Sequence, residues 1–271
     1  IDNLVFGISP IIYNLKNKIA FPQDNNLWSS GIGNAAYQFE YELDAWSFGF
    51  VVGSIIEFSD ELKIGLSIRS GYSADLDGEA KSTMFNVMDS TVNQTTISNT
   101  FEMPWIFGLG ALYSVSENIF INLDFQYSTW GSTQSSIRNI FGNSTWQDRL
   151  SDTDARSGIN GSSFNLSYIN TFDLGLGFEY VSGSNISYRA GYRFSQSPNS
   201  DETYTMLFPS VDQHIFSVGA GLREGNLILD AALLYSFGVK TEVSNNQIPS
   251  VSGSYNYDTI IPMVNLKYVL F

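Results

Sequence analysis

The chain has 271 residues, 43% of them hydrophobic and 15% aromatic but only 15% charged, with 23 glycines and a formal net charge of -14. That balance excludes the basic face a nucleic acid needs. The absence of Cys and the single His exclude a disulfide frame, thiolate sites and almost every imidazole metal site, so no cofactor is expected.

No stretch approaches the 18 or more consecutive apolar residues of a spanning helix; the densest run, "LILDAALLY", contains Asp230. Period-two alternation bounded by turn residues recurs instead, and it predicts ten strands. The first, near 4–19, carries Pro10, which removes a ladder donor and belongs at an edge or bulge. Beyond the polar loop "PQDNNLWSSGIGN" the second runs near 36–58 through "WSFGFVVGSI". The turn "FSDEL" leads to a third near 61–83, with Leu62, Ile64, Leu66 and Ile68 on one face and Lys63, Gly65, Ser67 and Arg69 on the other. The fourth, near 97–114, contains Pro104, and "SVSEN" turns it into a fifth near 118–138. After the longest loop, the sixth (163–182) sets Phe172, Leu174, Leu176, Phe178 and Tyr180 against Asp173, Gly175, Gly177 and Glu179. The seventh (185–196) sets Ile186, Tyr188, Ala190, Tyr192 and Phe194 against Ser187, Arg189, Gly191 and Arg193. Strands near 212–224, 226–241 and 255–271 complete the set.

Tight turns alternate with long Asn-, Ser-, Asp- and Thr-rich loops. This is the organisation of an all-β, transmembrane antiparallel up-and-down β-barrel, with short periplasmic turns and long outer loops. A soluble lipocalin-like barrel would instead face its apolar residues inward. Three features favour the membrane. The strands exceed the 9–11 residues that cross hydrocarbon. Trp28, Trp46, Tyr72, Trp105, Tyr113, Trp130, Tyr180 and Tyr235 gather at strand–loop junctions, as interface girdles do. The second face is rich in Gly with charges of both signs, which suits a lumen. The expectation is therefore one domain, 1–271, crossing the bacterial outer membrane many times, with the lipid bilayer and lipopolysaccharide around it. The first residues, "IDNLVFG", lack Met, so a leader or upstream segment is expected outside this sequence. The last, "NLKYVLF", place Phe271 at the periplasmic girdle, where the barrel assembly machinery reads a terminal aromatic.

The order of segments resembles the FadL family of outer-membrane transporters of long-chain fatty acids and other hydrophobic compounds. "WSFGFVVGSIIEFSDELKIGLSIRSGYSADLDGEA" is similar to its Trp- and Gly-rich strand, tight turn and Arg-Ser strand end. "FEMPWIFGLGALYSVSENIFINLDFQYSTWGS" resembles its Pro-containing strand and following hairpin. "YRAGYRFSQSPNSDETYTMLFPSVDQHIFSVGAGL" resembles its Arg-x-Gly strand and Ser-Pro loop. The resemblance implies a 14-stranded barrel with an N-terminal hatch. About ten strands are visible and the hatch's Asn-Pro-Ala element is absent, so the chain is read as the C-terminal part of a FadL-like chain, or as a reduced relative. The implied function is passive uptake of a hydrophobic small molecule such as a long-chain fatty acid or aromatic hydrocarbon, captured outside, held in the lumen and released through a kinked wall; the expected bound partner is such a ligand or a detergent. The chain is not expected to be an enzyme.

Candidate residues follow. For a carboxylate head group, Lys63, Arg69, Arg189, Arg193 and Arg223 fall on the polar face, unless Glu57, Asp124, Asp173, Glu179 and Asp230 neutralise them in a structural network. Leu27, Trp28, Phe141, Trp146, Met206, Leu207 and Phe208 are apolar residues within loops, fit either for a capture groove or for packing the loops together. Pro10 and Pro104 are candidate wall defects. Alternatives are a general diffusion porin, an accessory subunit of an envelope complex, or an omptin-like barrel protease using Asp212 and His214 of "DQH" with Asp152 and Asp154 of "SDTD".

Overall fold

The computed structural model describes residues 3–23, 37–82, 93–151, 163–183, 185–204, 209–244 and 252–269. In chain order these form β1 (Leu4–Gln23), β2 (Tyr37–Glu57), β3 (Leu62–Arg69), β4 (Tyr72–Ser82), β5 (Gln94–Met103), β6 (Ile106–Ser116) and β7 (Ile119–Ser128). An outer segment follows, with β8 (Ser136–Arg138), β9 (Ile140–Phe141), the short helix α1 (Ser144–Ser151) and β10 (Ser163–Asn165). The chain returns to the wall as β11 (Thr171–Val181), β12 (Ile186–Ser195), β13 (Gln213–Glu224) and β14 (Leu227–Gly238), then adds β15 (Thr241–Val243), β16 (Gly253–Tyr255) and β17 (Asp258–Tyr268).

All wall pairings are antiparallel, in the order β17, β14, β13, β12, β11, β7, β6, β3, β2, β4, β5, β9, with β1 on the other side of β2. The period-two segments thus become neighbours in sequence order, as short turns dictate. Gly225, at φ +55°, takes the first central position of the two-residue turn joining β13 to β14, a conformation that favours glycine. Among the described residues β1 and β17 each pair on one side only.

Two expected strands are broken. The third splits at Ser70–Gly71 into β3 and β4, and the fourth at Pro104–Trp105 into β5 and β6. The breaks lie side by side, since β3 pairs with β6 and β4 with β5 in one continuous register. Pro104 explains the second break, because it has no N–H to give. Gly71 explains why the two can approach: a Cβ there would lie 2.7 Å from the Met103 carbonyl oxygen. Pro10 breaks nothing, because β1 is an edge among the described strands.

Candidate functional site: a polar lumen face and a seam in its wall

On β11 the five apolar residues, Phe172 through Tyr180, are exposed, whereas Asp173, Gly175, Gly177 and Glu179 are half-buried on the concave side. The same inversion holds for Phe216 and Val218 of β13 against Ser217 and Gly219. Soluble proteins bury the apolar set, so this orientation is stable only where the outer solvent is hydrocarbon. Against this inner face lies a cavity of about 990 Å³, bordered by nine strands from β1 to β14, where the polar set is joined by apolar residues such as Phe6, Ile8, Leu66 and Leu234. Much of its lining is glycine, and a neighbour's polar side chain lies over several of these glycines. A Cβ at Gly110 would meet the Asp124 carboxylate at 3.2 Å, and one at Gly191 would meet Ser217 Oγ at 2.8 Å. Bare glycine lets these side chains lie flat against the wall, and so keeps the lumen open.

The phase of the alternation reverses partway up β1 and β2. On β2 the outward face runs Glu42, Asp44, then Trp46, Phe48 and Phe50; the inward face runs Tyr41, Leu43, Ala45, then Ser47 and Gly49. Trp46 is 63% exposed and marks where the wall leaves the membrane. Above it the inward residues Tyr41, Leu43, Ala45, Ala74, Leu76, Ala80 and Ile97 form a water-excluding core with Phe141 and Trp146. Trp146, at 0% exposure, is carried there by α1, whose first turn is capped by the Asn143 side chain accepting from the Thr145 and Trp146 N–H groups. Sequence reasoning missed this helix, although Asn143 before "STW" is a cap signal.

Where the phase reverses, the wall has a seam. β2 pairs with β3 through Val51–Glu57 and with β4 through Phe39–Asp44, and the register slips by one residue between the two. Ala45–Phe50 therefore have no regular ladder on that side. Unpaired backbone at membrane depth is costly, and serines supply the missing partners. Ser70 N–H donates to the Phe50 carbonyl at 2.9 Å, Ser70 Oγ accepts from Phe50 N–H at 2.9 Å, and Ser47 Oγ donates to the Ser73 carbonyl at 2.6 Å. Tyr13 and Tyr72 stack on the lumen side of the seam, and Phe50 and Trp105 meet edge to face on the other.

Among the candidate cations, Arg189 reaches Glu179 at 2.9 Å and Asp230 at 2.7 Å, Arg193 reaches Asp173 at 2.5 Å, and Lys63 pairs with Glu57. Arg69 and Arg223 form no ion pair among the described residues, and neither borders the cavity. Of the candidate capture residues, Phe141 and Trp146 are buried, so their apolar surface is taken up by packing. Leu27, Trp28, Met206, Leu207 and Phe208 lie outside the described residues, as do Asp152, Asp154 and Phe271. Of the girdle candidates, Trp46, Trp105, Tyr113, Tyr180 and Tyr235 are exposed. Tyr72 instead turns inward onto Tyr13, and Trp130 packs on Tyr168. His214 stands on the outward face among Phe194, Phe216 and Phe237, bonded to the Tyr192 hydroxyl at 2.8 Å. Asp212 accepts from the Ser197 N–H at 2.8 Å. The two halves of the protease-like "DQH" motif are thus spent on separate structural tasks. Higher up, Tyr204 and Tyr257 share a hydroxyl contact of 2.9 Å, and burial, with Tyr204 beside it, holds the Tyr257 hydroxyl above its ordinary range.

The family model "Outer membrane protein transport protein (OMPP1/FadL/TodX)" matches residues 2–268. Outer membrane protein P1 of Haemophilus influenzae is 23% identical over 198 residues, covering 72% of this chain and 39% of that protein. The 47 kDa outer membrane protein of Pasteurella multocida is 22% identical over 221 residues, covering 77% and 48%. The matched stretch thus spans less than half the length of either relative. Among solved structures, a FadL homologue of Pseudomonas aeruginosa superposes with a TM-score of 0.77 at 18% identity, over 98% of this chain and 64% of that one. The Pseudomonas putida toluene transporter TodX gives 0.64 at 17%, over 99% and 65%. Its residues 2–268, its inverted polarity and its wall fold together place this chain in the OMPP1/FadL/TodX family of bacterial outer-membrane β-barrel transport proteins.

Proposed function

We propose that the chain forms most of the wall of a passive outer-membrane channel for hydrophobic small molecules. The observation that carries this reading is the cavity of about 990 Å³ on the inner face of a wall whose outer face is apolar. Such a molecule crosses the outer leaflet poorly, because lipopolysaccharide presents sugar and charge to it. A lumen bypasses that layer, and the seam beside Ala45–Phe50 offers a way out into hydrocarbon, since among the described residues serine contacts and two aromatic pairs hold it in place of a ladder. The two one-sided edges, β1 and β17, support reading residues 1–271 as one domain, part of a larger barrel. The match covers 64% and 65% of the two relatives' solved chains, so about a third of each lies outside it. Its surroundings are lipid and lipopolysaccharide, and its work is conduction rather than catalysis.

The test is uptake of labelled hydrophobic compounds, an alkane, an aromatic hydrocarbon and oleate, by cells that lack transporters of this family and produce the full-length protein. Faster entry of at least one than in cells without it is expected. Entry of small sugars with no gain for any hydrophobic compound would instead indicate a general porin.

A further inference from the structure

The charges of the cavity band are unequal. Three carboxylates, Asp124, Asp173 and Glu179, border the cavity with two guanidinium groups, Arg189 and Arg193, and a fourth acid, Asp230, stands beside it on β14 against Arg189. Each guanidinium is shared or contested. Arg189 lies across Gly221 and is clamped between Glu179 and Asp230. Arg193 stands level with Asp124 across Gly175 but bonds Asp173, which also accepts from Gln126 at 3.2 Å. Asp124 is left with a 3.4 Å contact from the Asn122 amide and no cation within ion-pair distance among the described residues. On either side of it β6 and β11 present only Gly110 and Gly175, so its carboxylate lies over bare backbone and is left open to the cavity. The remaining cations lie elsewhere. Arg69 is at the upper end of β3, while Arg223 shares a row with Lys267 beside the turn that joins β13 to β14.

We infer that this acid excess makes the lumen select against anions, so that the channel conducts uncharged hydrophobic molecules and cationic amphiphiles in preference to carboxylates. This rests on the transport reading above and narrows its substrate class. The physics is that of a cleft lined with one sign of charge between low-dielectric walls, which concentrates the field along its axis. Every guanidinium that borders the cavity already holds an acid, so a carboxylate ligand would have to displace one. A hydroxyl or ammonium group needs no displacement, because Asp124 is free to accept from it.

The experiment compares uptake of labelled decanol, decanoate and decylamine by cells producing the full-length protein, its Asp124→Asn variant and its Asp124→Lys variant. Heat-modifiable gel migration checks that each is folded. For the parent, decanoate is expected to enter more slowly than decanol, and decylamine no more slowly. Asp124→Asn is expected to raise the decanoate-to-decanol ratio about threefold or more, as removal of one nearby like charge does, and Asp124→Lys to raise it further while lowering the decylamine ratio. Equal ratios in all three proteins, or a parent that favours decanoate, would overturn the inference while leaving transport standing. Entry of none of the three above background would overturn the transport reading itself.

Discussion

The rings of Tyr13 and Tyr72 stack with centroids 4.1 Å apart on the lumen side of β2, although β1 and β4 share no ladder. They meet because β2 carries only Gly49 between them: a Cβ there would lie 3.1 Å from the Tyr13 ring and 2.9 Å from Ser70 Oγ. Gly49→Val is therefore expected to push the stack and the Ser70 contact apart, costing about 1–3 kcal/mol. The check is a lower temperature for the folded-to-unfolded shift on semi-native gels. An unchanged temperature would mean that the seam is not held at this point.

If the seam is the exit, tying it shut stops release. Residues 1–271 contain no Cys, so the pair Ser47→Cys and Ser73→Cys, at positions linked in the native protein by the Ser47 hydroxyl, can be joined by a short reducible cross-linker without competing thiols from this part of the wall. Uptake is expected to fall to background when joined and to recover on reduction. Full uptake by the joined protein would place the exit elsewhere.

Past Ile97–Ser98, where β9 pairs, the outer edge of β5 is finished by a side chain in place of a strand. Gln134, 5% exposed, accepts from the Glu102 N–H at 3.1 Å and donates to the Thr100 carbonyl at 2.8 Å, as a neighbouring peptide group would. Gln134→Ala leaves both groups unsatisfied, at about 1–3 kcal/mol. Hydrogen exchange should quicken at Glu102 while staying slow in β11–β14. Uniform exchange rates in parent and variant would contradict this.

Trp146 is the largest fully buried side chain among the described residues and pins α1 to the outer sheet. Trp146→Ala is expected to cost about 3–5 kcal/mol, a loss local to the outer sheet because the spanning wall does not use this core. Protease should then cut near 141–151 while the rest of the wall stays protected.

The wall strands were legible because β11 and β12 keep one apolar set and one polar set throughout, and a two-residue period has a single structural meaning. The seam was less so. Pro10 and Pro104 carry the same local signal, yet only Pro104 breaks a strand, because β1 is a one-sided edge and β5–β6 is not; sequence alone cannot tell which strand has two neighbours. The shift of the apolar set on β2 from Tyr41, Leu43 and Ala45 to Trp46, Phe48 and Phe50 is printed in the sequence, and it marks the height at which the surroundings change from water to lipid. The pairing of Arg189 with two acids was open beforehand, since periodicity places residues on a face but not their charges in contact. Whether Phe141 and Trp146 line a groove or pack the outer segment together was open for the same reason: their core partners on β2, β4 and β5, from Tyr41 to Ile97, are distant in the chain.

Which face meets lipid can be measured residue by residue on β11. Single nitroxide labels at positions 172–180 of the full-length protein in outer-membrane lipid, read by spin relaxation with oxygen and with a water-soluble nickel chelate, should alternate. Leu174, Leu176 and Phe178 should favour oxygen, and Asp173, Gly175 and Gly177 the chelate. The opposite phase, or no alternation, would show that the apolar set does not face hydrocarbon, and the channel would have no wall to stand on.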